Sequence, residues 1–542
     1  MNQKKSKKVD KFITISIFLI FIPFWILRFK MFPMPPDLAN FMLRSEDIIS
    51  GNFFLTGWFL TGLTCGTDIM FYVIGCLFFG LSEKGYIIAH SLIFISFLVT
   101  GILLLKEKKT KWKDILLFLF IVGFPNLLAI VNYTIHTGAV IFGLLGLFFT
   151  NKFLNQNLYK KSYLFYIILF FAFGISSDPL ILFVSVLPIL VYSSYILLYN
   201  YVNCQKNELD KKHKIIIGIS IFSIFLGFLI EKLYFSIGKA NKNGYLKLQK
   251  FNTLEDFLFK KISLYIESVM KISDTYFFSD NIISLNHFNT LFKMIILLIG
   301  MYYIILNIGL WLKKAKSDYI STILGMGFIL ASLMFLISEN VNQLGHSRYI
   351  NFFIVFFGII IVRNIQKFSS NKLKNDRIFI LLVLFSIFSI KFSNLEIKRK
   401  NKFDEHKKIV NVLEQNGLKY GFSGFYDASL ITVKSKGKIR MGSVIYNSDN
   451  EISNWNWDTK LDNYKKNTNF VVLDNKDPFG INEATVLQQF GKPIREIKVP
   501  ETNKIIFIYD KDISKLIKFK EISVTEEEQL KKEKQSKQEN IK

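Results

Sequence analysis

The chain contains many long apolar runs, and these runs limit what it can fold into. Eleven segments of roughly 20 residues carry almost no charge, which is the length that a helix needs to cross the hydrocarbon core of a bilayer. They are residues 12–30, 86–105, 114–131, 133–150, 162–178, 180–200, 214–236, 290–312, 319–338, 349–365 and 377–393. The 68 Lys and Arg residues lie mostly between these runs, although 51% of all residues are hydrophobic. This separation of charge from apolar sequence predicts a mainly helical, polytopic membrane protein.

One shorter apolar run, residues 69–81, decides the predicted topology. It follows Asp68 and is too short to cross a bilayer, so we expect it to lie at the interface. All the main basic segments then fall on the cytoplasmic side, as the positive-inside rule requires. These segments are residues 4–11, 106–113, 152–161, 206–214, 313–316 and 363–377. We therefore predict eleven spans in the cytoplasmic (inner or plasma) membrane, a cytoplasmic N-terminus, and outer loops at residues 31–85 and 237–290.

The composition changes after the last predicted span, which divides the chain into a transmembrane domain, residues 1–395, and a second domain. Residues 396–512 alternate short apolar and polar runs and predict an α/β domain outside the membrane, followed by a charged tail, 513–542. The predicted strands are residues 420–425, 438–444, 470–473 and 505–509, and the predicted helices are 404–415 and 481–490.

The net charge of +26 would suit a nucleic-acid partner, but the position of the basic residues favours another explanation. They cluster between apolar runs, where Lys and Arg orient membrane proteins, so we expect membrane lipid and no nucleic acid as a partner. The three cysteines, at positions 65, 76 and 204, have neither disulfide nor metal-ligand spacing.

On this topology, ionisable side chains gather where the spans meet outside the membrane. They are Asp37, Glu46, Asp47, Asp68, His136, Asp178, Glu339, His346 and Arg348. Each alone is compatible with simple solvation, but ionisable groups at membrane depth are costly and together indicate a site. A carboxylate can accept the proton of an acceptor hydroxyl, and Arg or His can neutralise a departing phosphate. Because nucleotide sugars are absent outside the cell, the activated substrate that fits is a polyprenyl-phosphate-linked sugar.

Two segments resemble the GT-C fold glycosyltransferases. Residues 36–58 resemble their first outer loop, and His346-Ser-Arg-Tyr349 resembles the Arg-Tyr element that opens a late span. The superfamily includes protein O-mannosyltransferases, the lipid A aminoarabinose transferase and an uncharacterised bacterial subgroup. In these enzymes two membrane-parallel helices precede the second span, and Asp37 matches the Asp taken to be the catalytic base. Leu38 stands where many members have Glu.

The resemblance implies an inverting transferase that moves a sugar from a polyprenyl-phosphate donor to a hydroxyl of a glycan, lipid or protein. The candidate catalytic residues are Asp37, Asp47 and Asp178, of which Asp37 is the general base and the other two position a metal or the sugar. The candidate substrate-binding residues are Arg348, His346, His136, Glu46 and Tyr349, with Arg348 and His346 on the leaving phosphate. Participation of a divalent metal such as Mg²⁺ or Mn²⁺ stays open, and no metal ligands are assigned. Trp455 and Trp457 could stack on a sugar.

Two other functions stay open at this point. A secondary transporter also has about a dozen spans, but it would be expected to hold charges near the bilayer midplane. An O-antigen ligase or polymerase also uses lipid-linked glycan outside the membrane. That class would place Arg and His in a large late loop, whereas loop 237–290 offers only His287 and several lysines.

Overall fold

The computed structural model describes two regions, a helical bundle and a C-terminal region with sheets. It covers residues 34–61, 63–105, 111–123, 135–156, 160–204, 208–238, 241–243, 254–276, 285–315, 317–338, 341, 344–368 and 404–520, together with a few residues between 16 and 30. Helices make up 69% of the structure. The predicted span 377–393, about half of span 12–30, residues 124–131 and the end of the charged tail lie outside the described residues.

Most of the bundle consists of long apolar helices. In chain order, the helices whose bounds the structure describes are α1 Pro36–Ile49, α2 Gly66–Phe79, α3 Glu83–Leu105, α4 Trp112–Val122, α5 Thr137–Asn155, α6 Lys161–Ser177, α7 Leu187–Val202, α8 Glu208–Gly238, α9 Ser263–Ile272, α10 Leu285–Leu312, α11 Tyr319–Ile337, α12 Phe353–Phe368, α13 Glu405–Gln415, α14 Phe425–Lys434 and α15 Glu483–Phe490. Tighter or wider helical turns cover Leu182–Val186, Asp256–Ile262 and Leu344–Ile350.

Six of the described helices are long and apolar enough to cross a membrane, or seven if the bent pair Leu344–Ile350 and Phe353–Ile365 forms one span. They are Glu83–Leu105, Thr137–Asn155, Leu182–Val202, Leu209–Gly238, Lys293–Leu312 and Tyr319–Ile337. The prediction of a mainly helical chain with several potential spans is therefore confirmed. The number eleven is not confirmed: Lys161–Ser177, for example, is an apolar helix of only 17 residues.

The outer helices leave large apolar side chains uncovered by protein. Phe225 on α8 and Ile305 on α10 are 65% and 70% exposed, whereas α5 and α11 are mostly buried. Contiguous apolar surface of this kind is costly in water and is expected where a helix faces lipid. The bundle thus has the surface of a membrane domain around a packed interior.

Helix α2, the predicted interfacial run, has both ends at one end of the bundle. At its start the Thr67 N–H donates to Ser177 Oγ (3.0 Å) at the end of α6. Just after its end, Glu83 of α3 forms an ion pair with Lys407 of the C-terminal region (3.1 Å). Its 14 residues rise about 21 Å, short of a hydrocarbon core of about 30 Å. This placement is that of a helix lying along the end of the bundle.

The opposite end of the bundle contains a buried ion pair. Arg363 donates from Nε and Nη2 to the two carboxylate oxygens of Asp318, at 2.6 and 2.9 Å. It also donates from Nη1 to the carbonyl oxygen of Leu104. Since Leu104 is near the end of α3 and Asp318 caps the start of α11, this pair joins helix ends far from α2.

The C-terminal region is a six-stranded mixed sheet with helices on both faces. The strands of the described residues are β1 Trp58–Thr61, β2 Asn241–Asn243, β3 Tyr420–Gly424, β4 Arg440–Tyr446, β5 Ile452–Asn454, β6 Thr459–Lys460, β7 Phe470–Asp474, β8 Arg495–Lys498 and β9 Lys504–Ile508. The sheet of the C-terminal region has the strand order β5-β4-β3-β7-β9-β8, in which β3, β4 and β7 are parallel. The side chains of β7 alternate between two cores: Val472 packs with α13 and α14, and Val471 packs with α15.

The four predicted strands and two predicted helices of this region are present, with ends shifted by a few residues. The sequence did not predict α14, β5, β6 or β8, and residue 425 begins α14 instead of ending a strand. The folded chain also continues past residue 512, since the Lys518 N–H donates to the Ile452 carbonyl oxygen (3.2 Å).

The C-terminal region contacts α1 through ion pairs and the loop after α1 through strand pairing. Strand β1 pairs with β2 and with β6, which joins residues from three distant parts of the chain. Three side chains of α1 form ion pairs with this region: Arg44 with Asp458, Glu46 with Arg440 (2.7 and 2.8 Å), and Asp47 with Lys460 (2.5 Å). We refer to these three pairs as the docking pairs.

Burial raises the pKa of Asp47, but hydrogen bonds from Lys460 and Trp58 lower it by more. The resulting pKa lies below the ordinary value of an aspartate. The Arg44 side chain is fully buried, and this burial lowers its pKa to about 10, so it keeps its charge at neutral pH. Both groups therefore enter their ion pairs as charged side chains.

Candidate active site

A cavity of about 170 Å³ lies at the end of the bundle where α2 rests. Its walls come from the start of α1, the residues before α2 and α5, the turn between α6 and α7, the end of α11, and the turn Leu344–Ile350. Trp457 and Asp458 of the C-terminal region complete it. The polar residues that line it are Asp37, His136, Asp178, Ser338, Arg348, Tyr349 and Asp458. The apolar residues that line it include Leu180, Phe183, Ala331, Met334 and Phe335.

Asp37 and Arg348 are in contact on one wall of this cavity. Arg348 Nη1 lies 3.4 Å from Asp37 Oδ2, and the two side chains are 25% and 36% exposed. Asp37 is held in the first turn of α1, which begins at Pro36, a residue with a backbone suited to a helix start. The contact is long for a charge-assisted hydrogen bond and is partly open to water. Both groups are therefore accessible to a molecule in the cavity.

His136 and Asp178 form a second, buried pair in the same cavity. His136 Nδ1 lies 2.5 Å from Asp178 Oδ2, and because a carboxylate only accepts hydrogen bonds, Nδ1 carries the hydrogen. The other oxygen of Asp178 accepts from the Leu180 N–H (2.9 Å), at the start of the next helix. The Nε2 atom of His136 is buried and has no hydrogen-bond partner among the described residues. It is left available to a ligand.

The His136–Asp178 pair is positioned by a close approach of two helix starts. The Gly138 N–H, in the first turn of α5, donates to Asp68 Oδ1 at 2.8 Å. A Cβ at Gly138 would lie 2.6 Å from the backbone of Thr67, so only glycine allows this approach. The amino-terminal ends of α2 and α5 thus meet beside the cavity, with the Asp68 carboxylate at the positive end of the α5 dipole.

The structure brings together five of the eight residues that the sequence selects. Asp37, His136, Asp178, Arg348 and Tyr349 line the cavity, and the rings of His136 and Tyr349 are 4.7 Å apart. His346 lies on the same turn as Arg348, with its ring 6.4 Å from that of Tyr349, but it is not among the residues lining the cavity.

Glu46 and Asp47 lie elsewhere. They line a separate polar cavity of about 420 Å³ with their docking partners Arg440 and Lys460. Asp47 also accepts hydrogen bonds from Trp58 (2.9 Å) and Asn52 (2.8 Å). Their carboxylates serve the contact with the C-terminal region, and the predicted catalytic and substrate-binding roles find no support in this placement.

Two features of the cavity depend on the C-terminal region. The sequence names Trp457 as a sugar-stacking candidate together with Trp455, without indicating which of the two reaches a site. It gives no sign of Asp458, which has a left-handed backbone (φ 57°) and is buried against Arg44. Aspartate tolerates this conformation better than most residues, so its presence is compatible with such a turn, but it does not predict a contact with the cavity.

The residues that the structure describes contain no group of three or more His, Cys, Asp or Glu side chains suited to holding a metal ion. The two oxygens of Asp178 are already used by His136 and Leu180. The participation of Mg²⁺ or Mn²⁺ stays a hypothesis.

Comparison with protein-family models, with curated proteins and with solved structures finds no match to this chain. Function is therefore inferred from the cavity and its chemistry.

Proposed function

We propose that the chain is a membrane glycosyltransferase of the GT-C type, which moves a sugar from a polyprenyl-phosphate donor to an acceptor hydroxyl outside the cytoplasmic membrane. The observation that carries the proposal is the contact between Asp37 and Arg348 in the cavity that also holds His136 and Asp178. A candidate base, a candidate phosphate ligand and a polarised imidazole thus meet at one end of an apolar bundle. Glycosyl transfer from a lipid phosphate uses a base for the acceptor hydroxyl and a positively charged group for the departing phosphate, and these residues can supply both.

In the proposed reaction, Asp37 accepts the proton of the acceptor hydroxyl as the hydroxyl oxygen bonds the anomeric carbon. The bond from that carbon to the phosphate oxygen breaks, and the phosphate keeps the electron pair. The anomeric configuration inverts because the acceptor attacks from the face opposite the phosphate.

The departing phosphate is stabilised by Arg348 and His136. The guanidinium binds phosphate through paired N–H donors, and its long contact with Asp37 is readily exchanged for such a ligand. The His136 imidazole, when protonated, donates from Nε2, while Asp178 holds its Nδ1. The apolar residues that line the cavity, including Phe183 and Phe335, contact the first isoprene units of the lipid.

The experiment uses the full-length protein in lipid nanodiscs with radiolabelled undecaprenyl-phosphate glucose or mannose and a cell-envelope extract as acceptor. Release of undecaprenyl phosphate together with labelled product is the expected result. Asp37→Asn should lower the rate by about 10²- to 10⁴-fold, the range for loss of a general base. Asp449→Asn is the matched control, because Asp449 is exposed and pairs with Lys520. A rate for Asp37→Asn within a few fold of the control would contradict the assignment of the base.

A further inference from the structure

The segment Trp455–Asp458 carries two tryptophans with different environments. Trp455 is buried, with its ring 4.9 Å from that of Phe425 and 4.5 Å from that of Phe479. It belongs to the core of the C-terminal region. Trp457 is only partly buried and lines the cavity that contains Asp37 and Arg348. Of the two rings, only that of Trp457 is placed to meet a ligand there.

The backbone that follows Trp457 is fixed to the first part of the chain. Asp458, the next residue, forms the buried docking pair with Arg44. Two residues further on, β6 pairs with β1, and the Leu461 N–H donates to the Gly57 carbonyl oxygen at 2.8 Å. The indole is thus presented to the cavity by a segment that is held at several points. A rigid aromatic ring of this kind loses little conformational entropy when a ligand packs on it.

The chemical groups that line the cavity match the groups of a lipid-phosphate sugar. The apolar residues suit the lipid, Arg348 and His136 suit the phosphate, and Asp37 suits the reacting centre. The sugar is bonded directly to the phosphate, so its ring must lie beside the phosphate and within reach of Asp37. Trp457 is the aromatic residue that the C-terminal region contributes to this wall. A flat apolar surface complements the C–H face of a pyranose.

We infer that Trp457 is the platform on which the ring of the donor sugar stacks, and that the Arg44–Asp458 pair positions it. This inference depends on the proposed function, because it assigns the sugar-binding part of that same cavity. It also gives the C-terminal region a role in the reaction: the region supplies a wall of the donor site. The Asp458 carboxylate is engaged by Arg44 and therefore acts on the position of Trp457, without contacting the sugar itself.

The test separates recognition of the sugar from recognition of the phosphate and lipid. Binding of two probes, undecaprenyl phosphate and undecaprenyl-phosphate glucose or mannose, is measured with full-length protein in nanodiscs. Trp457→Ala should weaken binding of the sugar-bearing probe about tenfold, the loss expected for one stacking contact, and leave undecaprenyl phosphate binding unchanged. Trp457→Phe, which keeps an aromatic face, should lose less. Trp112→Ala, at the start of α4, is the control and should change neither affinity.

Each outcome supports or overturns the inference. Binding of undecaprenyl phosphate shows that a variant is folded, so a selective loss of the sugar-bearing probe supports the platform. Equal loss of both probes, or no loss of either, overturns the platform and leaves the proposed function standing. If the wild-type protein binds neither probe, the proposed function fails, and the platform fails with it. If Arg44→Met also selectively weakens binding of the sugar-bearing probe, this supports the positioning role of the Arg44–Asp458 pair. If the ratio of the two affinities in Arg44→Met equals that of the wild type, the positioning role is overturned.

Discussion

Removing Arg44 should detach the C-terminal region from α1, and the structure allows the size of the effect to be worked out. Arg44 is fully buried, and Asp458 is 2% exposed, so Arg44→Met leaves an almost fully buried carboxylate without its partner. Breaking a buried ion pair by removing one partner costs about 3–5 kcal/mol, because the remaining charge is uncompensated. An exposed pair such as Lys438–Glu414 contributes about 0–1 kcal/mol and is the matched control.

Amide hydrogen exchange of the full-length protein in nanodiscs measures this effect locally. The Leu461 N–H donates to Gly57, across the interface, whereas the Trp455 N–H donates to Ser443 (2.9 Å), inside the C-terminal region. Undocking therefore exposes the first amide and leaves the second protected. A cost of 3–5 kcal/mol predicts exchange at Leu461 more than about a hundredfold faster in Arg44→Met, with no change at Trp455.

Removing the charge of Asp458 should also destabilise the docking of the C-terminal region. Asp458→Asn keeps a residue that tolerates the left-handed backbone but removes the charge, so Arg44 becomes the unpaired group. The double variant Arg44→Met/Asp458→Asn should be less destabilised than the sum of the two single variants. Exchange at Leu461 in Arg44→Met that stays within about fivefold of Lys438→Met would refute the claim that this pair holds the interface.

Two further predictions concern the helix contact beside the cavity and the docking pairs in acid. Gly138→Ala should destabilise the protein by about 1–3 kcal/mol, because the new Cβ would lie 2.6 Å from the backbone of Thr67. Gly218→Ala is the control and should be neutral or slightly stabilising, because its new Cβ meets nothing within 4 Å. Equal melting temperatures of the two variants in detergent would contradict this prediction. The lowered pKa of Asp47 means that its stabilising contribution is complete above about pH 4, the ordinary aspartate value, and is lost as the pH falls further. The fluorescence difference between wild type and Trp58→Phe should therefore change below about pH 4, since Trp58 donates to Asp47, and a signal constant to pH 2.5 would contradict it.

The membrane part of the fold follows from local properties of the sequence. Apolar length predicts the long helices, and the short run at 69–81 already distinguishes α2 from its neighbours by length alone. The contact between Asp37 and Arg348 is different, since the two residues are 311 positions apart. No local pattern brings such residues together. Their pairing was expected only because both resemble elements of the same family and the predicted topology put them on one side of the membrane.

The acids of α1 show what helical geometry adds to the sequence pattern. Asp37, Glu46 and Asp47 lie close together in the sequence, yet nine residues along a helix at about 100° per residue turn Glu46 to the face opposite Asp37. Arg44, seven residues from Asp37, returns to nearly the same face, which agrees with its partner Asp458 lining the Asp37 cavity. Treating residues 36–49 as a helix would thus have separated the cavity side from the docking side. The partners themselves, Arg440, Asp458 and Lys460, depend on how a distant sheet packs on this helix, and no property of residues 36–49 specifies them.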